Sequence, residues 1–143
     1  METTFHLISS NVHQLFVALR ELHEVRVTVD KVVYVPTLDA PEDRPYPFVY
    51  FITIDNQSPH AVTIRGRKWV ISDDRGQKVV VEGDGVVGEH PHLKPGERFS
   101  YNSYHVIGVH SVAEGSFLGM SDDGKPFVTR IPRFEMSVPA EEA

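Results

Sequence analysis

The sequence predicts an all-β fold: an immunoglobulin/fibronectin-III-like antiparallel β-sandwich of about seven strands with an added N-terminal helix. Beyond residue 24, apolar residues recur with a period of two, as expected for half-buried strands. Turn residues separate these short runs, with almost no helix between them, which favours antiparallel over parallel pairing. A lone tryptophan, Trp69, lies within the third predicted strand and is predicted to belong to the structural core of such a sandwich.

A helix is predicted over residues 10–24, within an N-terminal extension of residues 1–24. Its apolar residues recur at spacings of three and four, which places them on one stripe. The stripe consists of Val12, Leu15, Phe16, Leu19 and Leu22. Two roles stay open for this stripe: packing on the sheet, or burial against another protein or a second copy, which would form a homo-oligomer.

Residues 25–139 are predicted to form one β-sandwich domain, followed by a C-terminal tail of residues 140–143. The predicted strands are residues 25–35, 48–54, 61–72, 78–81, 98–101, 115–120 and 127–138. Two adjacent valines, Val32 and Val33, break the alternation of the first strand and predict a bulge. The connections contain the Pro, Gly, Asp and Asn residues that are typical of turns.

The composition indicates one cytoplasmic domain that binds neither nucleic acid nor membrane. The chain has 143 residues, 41% of them hydrophobic, and a net charge of -6. An acidic chain offers little attraction to a phosphate backbone. The absence of cysteine excludes thiolate metal sites and cysteine nucleophiles. No apolar run approaches the roughly 18 residues that a membrane span needs, and the first residues lack the features of a secretory signal.

The densest group of motifs lies between residues 67 and 97. It contains Arg67-Lys68-Trp69, the glycines of residues 83–88 and the segment His92-Leu93-Lys94-Pro95-Gly96-Glu97. In order and spacing these motifs resemble the ApaG family of small bacterial proteins, and the resemblance extends over residues 25–139. It departs from the family pattern at residues 102–113.

The resemblance to ApaG implies a β-sandwich and a role in protein recognition. The ApaG domain is reused in some eukaryotic F-box proteins and in a protein that interacts with a DNA polymerase. Members of the family have also been linked to cobalt and magnesium tolerance. These associations imply a non-enzymatic interaction domain with an unknown protein partner, and they add weight to a divalent-cation alternative.

Residues 83–88 match the G-x-G-x-x-G pattern of dinucleotide-binding folds, with Gly83, Gly85 and Gly88 at the glycine positions. The expected helix would have to pass through Pro91 and Pro95, which each cost about 3 kcal/mol inside a helix. No nucleotide cofactor, and no other cofactor, is therefore predicted. Two interpretations stay open: the glycines serve turns or bulges, or their backbone N–H groups form a nest for phosphate or pyrophosphate.

An arginine pair on the third predicted strand offers a cation for such an anion. On a regular strand Arg65 and Arg67 share one face, four and two residues before Trp69, respectively. If Trp69 points into the core, Arg67 also points inward and requires an acidic or carbonyl partner. We favour a structural ion pair for Arg67, and the alternative is the cation of a ligand pocket.

Histidines and carboxylates give weaker signals. His90 and His92 lie on one side of an extended segment and are candidate ligands for zinc, cobalt or nickel. The aspartates at positions 73, 74, 122 and 123 lie beside turn glycines, so we interpret them as turn residues. No local context groups a nucleophile with a base, so no catalytic residue and no enzyme activity are predicted.

The sequence thus predicts a non-enzymatic β-sandwich that acts in protein–protein interaction. The alternative is a small-ligand domain for phosphate, pyrophosphate or a divalent cation. The candidate ligand-binding residues are Arg65, Arg67, Gly83, Gly85 and Gly88, with His90 and His92 for a metal.

Overall fold

The structure is a computed structural model that describes residues 19–140 of the chain. Two antiparallel sheets face each other as a β-sandwich. The eight strands are β1 (Val25–Tyr34), β2 (Tyr46–Asn56), β3 (Val62–Asp73), β4 (Lys78–Asp84), β5 (His92–Leu93), β6 (Arg98–Ile107), β7 (Ser111–Ser121) and β8 (Pro126–Met136). The sandwich predicted from periodicity is confirmed, with eight strands in place of about seven.

The two sheets differ in size. One has the order β1-β2-β6, and the other has the order β4-β3-β7-β8 with the short β5 also pairing with β3. Alternation along the strands builds the core, because one face of each sheet is apolar and packs on the other sheet. Among the described residues, the largest side chains that are almost fully buried include Trp69, Phe117 and Phe127.

The prediction of an N-terminal helix is wrong for the part of it that the structure describes. Residues 19–24 are extended or turn-like, and no helix occurs anywhere in residues 19–140. Glu21 forms a parallel bridge with Val128, and the Leu22 N–H donates to the Val128 carbonyl over 2.9 Å. The spacing of Leu19 and Leu22 therefore reflects a segment paired with β8. The rest of the predicted helix, residues 10–18, lies outside the described residues.

The predicted bulge of the first strand lies elsewhere. The β1–β2 register shifts between Val29 and Lys31, before the out-of-step valines. Asp30, at the shift, accepts a hydrogen bond from the Thr53 hydroxyl over 2.7 Å. The residue at the bulge thus makes a cross-strand contact that hydrophobic periodicity does not report.

The sandwich is closed along one side and open along the other. On the closed side β1 contacts β8, and the buried Thr129 hydroxyl donates to the Val25 carbonyl over 2.6 Å. On the open side lie β4 and β6, the terminal strands of the two sheets. A groove and the glycine loop after β4 lie on this open side.

Candidate functional site

A groove of about 290 Å³ lies on the open side, between β4 and β6. Its walls come from both sheets and from the loop before β2. The lining residues are Arg44, Tyr50, Arg67, Trp69, Ile71, Val79, Val81, Ser103, Tyr104, His105 and Val106. Arg44 and Arg67 are the charged members of this set, since His105 is neutral at pH 7, and no carboxylate belongs to it. The groove therefore combines aromatic and aliphatic walls with polar groups, including two guanidinium groups.

Arg67 is half-buried and is held by the glycine loop. Its Nη1 donates to the carbonyl oxygens of Asp84 and Gly85, each over 3.1 Å. A Cβ at Gly83 would lie 2.5 Å from the Arg67 guanidinium carbon, so a larger residue there would displace the guanidinium from its present position. The partners of Arg67 are thus carbonyl groups, where the sequence favoured an ion pair.

Arg65 does not share this environment. The β3–β7 register shifts between Ile64 and Gly66, so the strict alternation that groups Arg65 with Arg67 is broken. Arg65 is exposed, and its carbonyl accepts the Gly85 N–H over 2.8 Å. Of the two arginines, Arg67 lines the groove and Arg65 does not.

The loop after β4 is a tight turn with positive backbone angles. Val86 and Glu89 exchange both backbone hydrogen bonds, and φ is 44° at Val87 and 80° at Gly88. Gly85 also has a positive φ, and a Cβ there would lie 2.3 Å from the Glu89 carbonyl oxygen. The N–H groups of Gly85, Val86 and Glu89 already donate to carbonyls, so a phosphate nest would have to use the remaining groups.

Four rings pack together at the groove: Tyr50, Trp69 and His105, which line it, and Phe134, which contacts all three. His105 lies 4.6 Å from Tyr50 and 4.7 Å from Trp69, measured between ring centroids. Burial lowers the pKa of His105 to about 4, and its Nε2 has no hydrogen-bond partner among the described residues. Burial also raises the pKa of Tyr50. The sequence did not identify Tyr50 and His105 as groove residues. They are 55 residues apart in the sequence, and only the pairing of β2 with β6 brings them together.

The two histidines proposed as metal ligands have separate partners. His90 Nε2 lies 3.0 Å from Asp84 Oδ2, whereas His92 Nδ1 lies 3.0 Å from the Thr63 hydroxyl. Within residues 19–140, no three His, Asp or Glu side chains are grouped closely enough to hold a metal ion. Among the described residues, the His–carboxylate pair with the shortest separation is His90 with Asp84.

The described residues contain one array of serine, histidine and carboxylate. His110 Nδ1 lies 2.9 Å from the Ser137 hydroxyl, and its Nε2 lies 3.3 Å from Glu135 Oε1. The Glu135 side chain is 68% exposed, so water screens the charge that would orient a catalytic base. The array is a surface network and supports no catalytic assignment.

Strand β4 presents an unpaired backbone edge beside the groove. It pairs with β3 through a regular ladder. Backbone hydrogen bonds extend this ladder at both ends, between Asp73 and Gln77 and between Arg65 and Gly85. Because antiparallel pairs alternate, residues 79, 81 and 83 bond to β3, and residues 78, 80 and 82 direct their N–H and C=O groups outward. Among residues 19–140 these outward groups have no backbone partner.

Two exposed valines lie on this edge strand. Val79 is 41% exposed and lines the groove, whereas Val80 is 54% exposed and lies on the opposite face of the sheet. The sequence indicated a strand here but not its position in the sheet, because strand order depends on contacts between distant segments.

Comparison with known proteins places the chain in a family. The ApaG domain model matches residues 36–120. Protein ApaG of Methylococcus capsulatus is 39% identical over 121 residues, covering 84% of this chain and 95% of that protein. Protein ApaG of Shewanella pealeana is 40% identical over 115 residues, covering 79% and 91%.

A solved structure agrees with these matches. A Bordetella pertussis protein assigned as ApaA is 30% identical, with a TM-score of 0.71 and coverage of 85% of this chain and 98% of that one. No helix in residues 19–140 is long and apolar enough to cross a membrane. The family match covers more than half of the chain, and the relatives are matched over most of their own length. The chain therefore belongs to the ApaG domain family.

Proposed function

We propose that this ApaG-domain chain is a non-enzymatic module that binds a protein partner through the free edge of β4. The observation that carries the proposal is the set of outward N–H and C=O groups on Lys78, Val80 and Glu82. An extended partner segment can add to such an edge as a new strand. Val79 and Val80 would then supply apolar contacts, one on each face of the sheet.

The composition of β4 supports the proposal. Natural sheets protect their edges with prolines, bulges, short strands or inward-pointing charges. β4 pairs with β3 over seven successive positions without a bulge, contains no proline, and has three consecutive valines at its centre. The opposite terminal strand, β8, is partly covered, because residues 20–22 pair with Val128. Among the described residues, the outer edge of β4 has no such cover.

A photo-crosslinking amino acid at position 78, introduced in living cells, tests the proposal. We expect a discrete adduct with a protein, and we expect Val80→Pro in the same chain to abolish it by removing an outward N–H group. A crosslinker at position 87, in the exposed turn outside the edge, is the control and should give no such adduct. An absent adduct at position 78, or one that survives Val80→Pro, would refute binding through this edge.

A second candidate function is the binding of a small anion in the groove. Arg44 and Arg67 line the groove and no carboxylate does, although Asp43 Oδ1 lies 4.0 Å from Arg44 Nε and the chain carries a net charge of -6. Guanidinium groups bind phosphate with paired hydrogen bonds, so phosphate or pyrophosphate is the ligand class. The loop with Gly83, Gly85 and Gly88 would contribute through its hold on Arg67.

Thermal-shift measurements with phosphate, pyrophosphate, Mg²⁺, Co²⁺, Ni²⁺ and Zn²⁺ test this second candidate. A ligand at 100 times its dissociation constant stabilises the protein by about 2.7 kcal/mol. For an anion, Arg44→Ala should remove the shift, whereas Arg75→Ala, in an exposed turn, should keep it. For a cation, His90→Ala should remove the shift. If no ligand changes the melting temperature, the small-ligand function is refuted and protein interaction is the one proposed function that remains.

A further inference from the structure

We infer that a second copy of this chain is the partner of β4, so that two β4 strands pair antiparallel about a two-fold axis at Val80. The inference rests on the proposed interaction function and names the partner. Two five-stranded sheets would join into one continuous sheet across the dimer. Such an interface is isologous, since the same surface serves both copies.

The sequence of β4 is self-complementary about Val80. In an antiparallel pair centred on that residue, position 78 of one copy lies opposite position 82 of the other. Lys78 would therefore face Glu82 of the second copy twice, once on each side of the axis. A chain with a net charge of -6 repels its own copies at long range, but this seam would be locally neutral.

The backbone groups match the same register. Val80, Lys78 and Glu82 are the residues whose N–H and C=O groups point away from β3. With the axis at Val80, each of these residues meets another outward-facing residue, so every pair exchanges two backbone hydrogen bonds. In this register the residue numbers of each pair sum to 160. A sum of 161, with Val80 opposite Val81, would place outward backbone groups of one copy against inward groups of the other. Registers shifted by two in that sum also match outward groups, and among them the Lys78–Glu82 pairing selects the axis at Val80.

Side chains on the outer face extend the contact. Val80 lies opposite Val70 of β3 in the register, so their side chains share a face of the sheet. Pairing about Val80 would bring both valines of one copy beside both of the other in a continuous apolar strip. Glu82 lies opposite Lys68 of β3 in the register and interacts electrostatically with it, and its Oε2 is buried, so Lys78 of the second copy would share the Glu82 carboxylate with Lys68.

Sedimentation measurements across a concentration series test the dimer. We expect the mass to rise from the monomer, 16.1 kDa, towards twice that value as concentration increases. A contact between two short edge strands buries a small area, and small interfaces bind weakly. The concentration series therefore extends to about 1 mM. Val80→Lys should give monomer throughout, and Val87→Lys, at an equally exposed valine outside β4, should dimerise like the unchanged chain. Monomer at every concentration, or a dimer in Val80→Lys, would overturn the inference.

Chemical crosslinking gives a second readout that does not depend on the stability of Val80→Lys. Because the chain has no cysteine, Val80→Cys introduces a single thiol. A short bismaleimide should join two copies of Val80→Cys, since the two thiols would flank the axis. Val87→Cys is the matched control and should stay uncrosslinked. Equal crosslinking of the two variants would count against pairing at β4.

Failure of the dimer can be separated from failure of the interaction function. Mass spectrometry of the adduct formed in cells at position 78 identifies the crosslinked protein. A different protein, together with a monomer in solution, would overturn the second-copy inference and retain the interaction module. No adduct and no dimer would overturn both.

Discussion

His105 illustrates how burial sets the charge of a single residue. It is only 7% exposed, and burial lowers its pKa to about 4 from an ordinary value of 6.5. The folded state therefore keeps His105 neutral between pH 6.5 and 4, while the unfolded state takes up a proton. Above pH 6.5 the ionisation of His105 does not reduce the free energy of unfolding. As pH decreases from 6.5 towards 4, it reduces the free energy of unfolding by about 3 kcal/mol in total.

Urea unfolding at pH 7, 6 and 5 measures this loss. We expect the free energy of unfolding to decrease steadily across the series in the unchanged chain. His105→Phe, whose ring does not titrate, should flatten that decrease, whereas His92→Phe, at an exposed position, should not. An equal pH dependence in the unchanged chain and His105→Phe would assign the acid sensitivity to other groups.

Val87 carries backbone strain in the glycine loop. Its φ of 44° is in the left-handed region, which a β-branched side chain adopts at a cost of about 1–2 kcal/mol. Val87→Asn should relieve part of that cost, because asparagine tolerates this conformation. We expect the free energy of unfolding to rise by about 1 kcal/mol. Thermal unfolding checks the change, and Val80→Asn, in a strand, should be destabilising instead.

The groove residues show how far alternation along one strand predicts a site. Arg67 and Trp69 are two positions apart on β3, and both line the groove, in accord with a period of two. Arg65 departs from the pattern because of the register shift at Ile64 and Gly66. His105 lies where the family pattern is weakest, and its contact with Tyr50 depends on the pairing of β2 with β6.

Strand β4 allows a direct test at the level of one element. Val80 directs its N–H outward and Val79 directs its N–H to β3. Proline lacks an N–H group, so Val79→Pro removes a ladder hydrogen bond and Val80→Pro does not. We expect Val79→Pro to lower the free energy of unfolding by about 1–3 kcal/mol, the cost of leaving a ladder carbonyl unpaired, and Val80→Pro to lower it by clearly less.

Chemical denaturation of the two proline variants at low protein concentration measures the difference. Both variants replace the same residue type with the same restriction on φ, so each is the control for the other. Equal losses would mean that the hydrogen-bond alternation along β4 is not as described.

Elements were predictable in proportion to the length of their repeating pattern. The alternation of β1 is long enough that the strand was predicted almost in full, as residues 25–35, whereas β6 and β7 were predicted only over residues 98–101 and 115–120. β5 has two residues and no period, so the eighth strand was missed. The helix prediction relied in part on Leu19 and Leu22, where pairing of the backbone with Val128 overrides the apolar spacing. The order of strands in each sheet has no local signal, which is why the free edge was not predicted.

At the scale of the molecule, the closed and open sides should differ in local stability. β1 and β8 are joined across the sheets, and Thr129 links them with a buried hydrogen bond. β4 and β6 each have one paired neighbour in their sheet and meet across the groove. Segments with few packed neighbours open locally at a lower free energy than the central strands.

Native-state hydrogen exchange at low protein concentration measures this gradient. Amides of β3 and β7, which are paired on both sides, should exchange only through global unfolding. Inward amides of β4, at residues 79, 81 and 83, should exchange through local opening, and the outward amides at 78, 80 and 82 should exchange fastest. At high protein concentration the outward amides should become protected if two β4 strands pair. Fast exchange at 80 that is independent of concentration would contradict the dimer, and slow exchange across all of β4 at low concentration would contradict an open side.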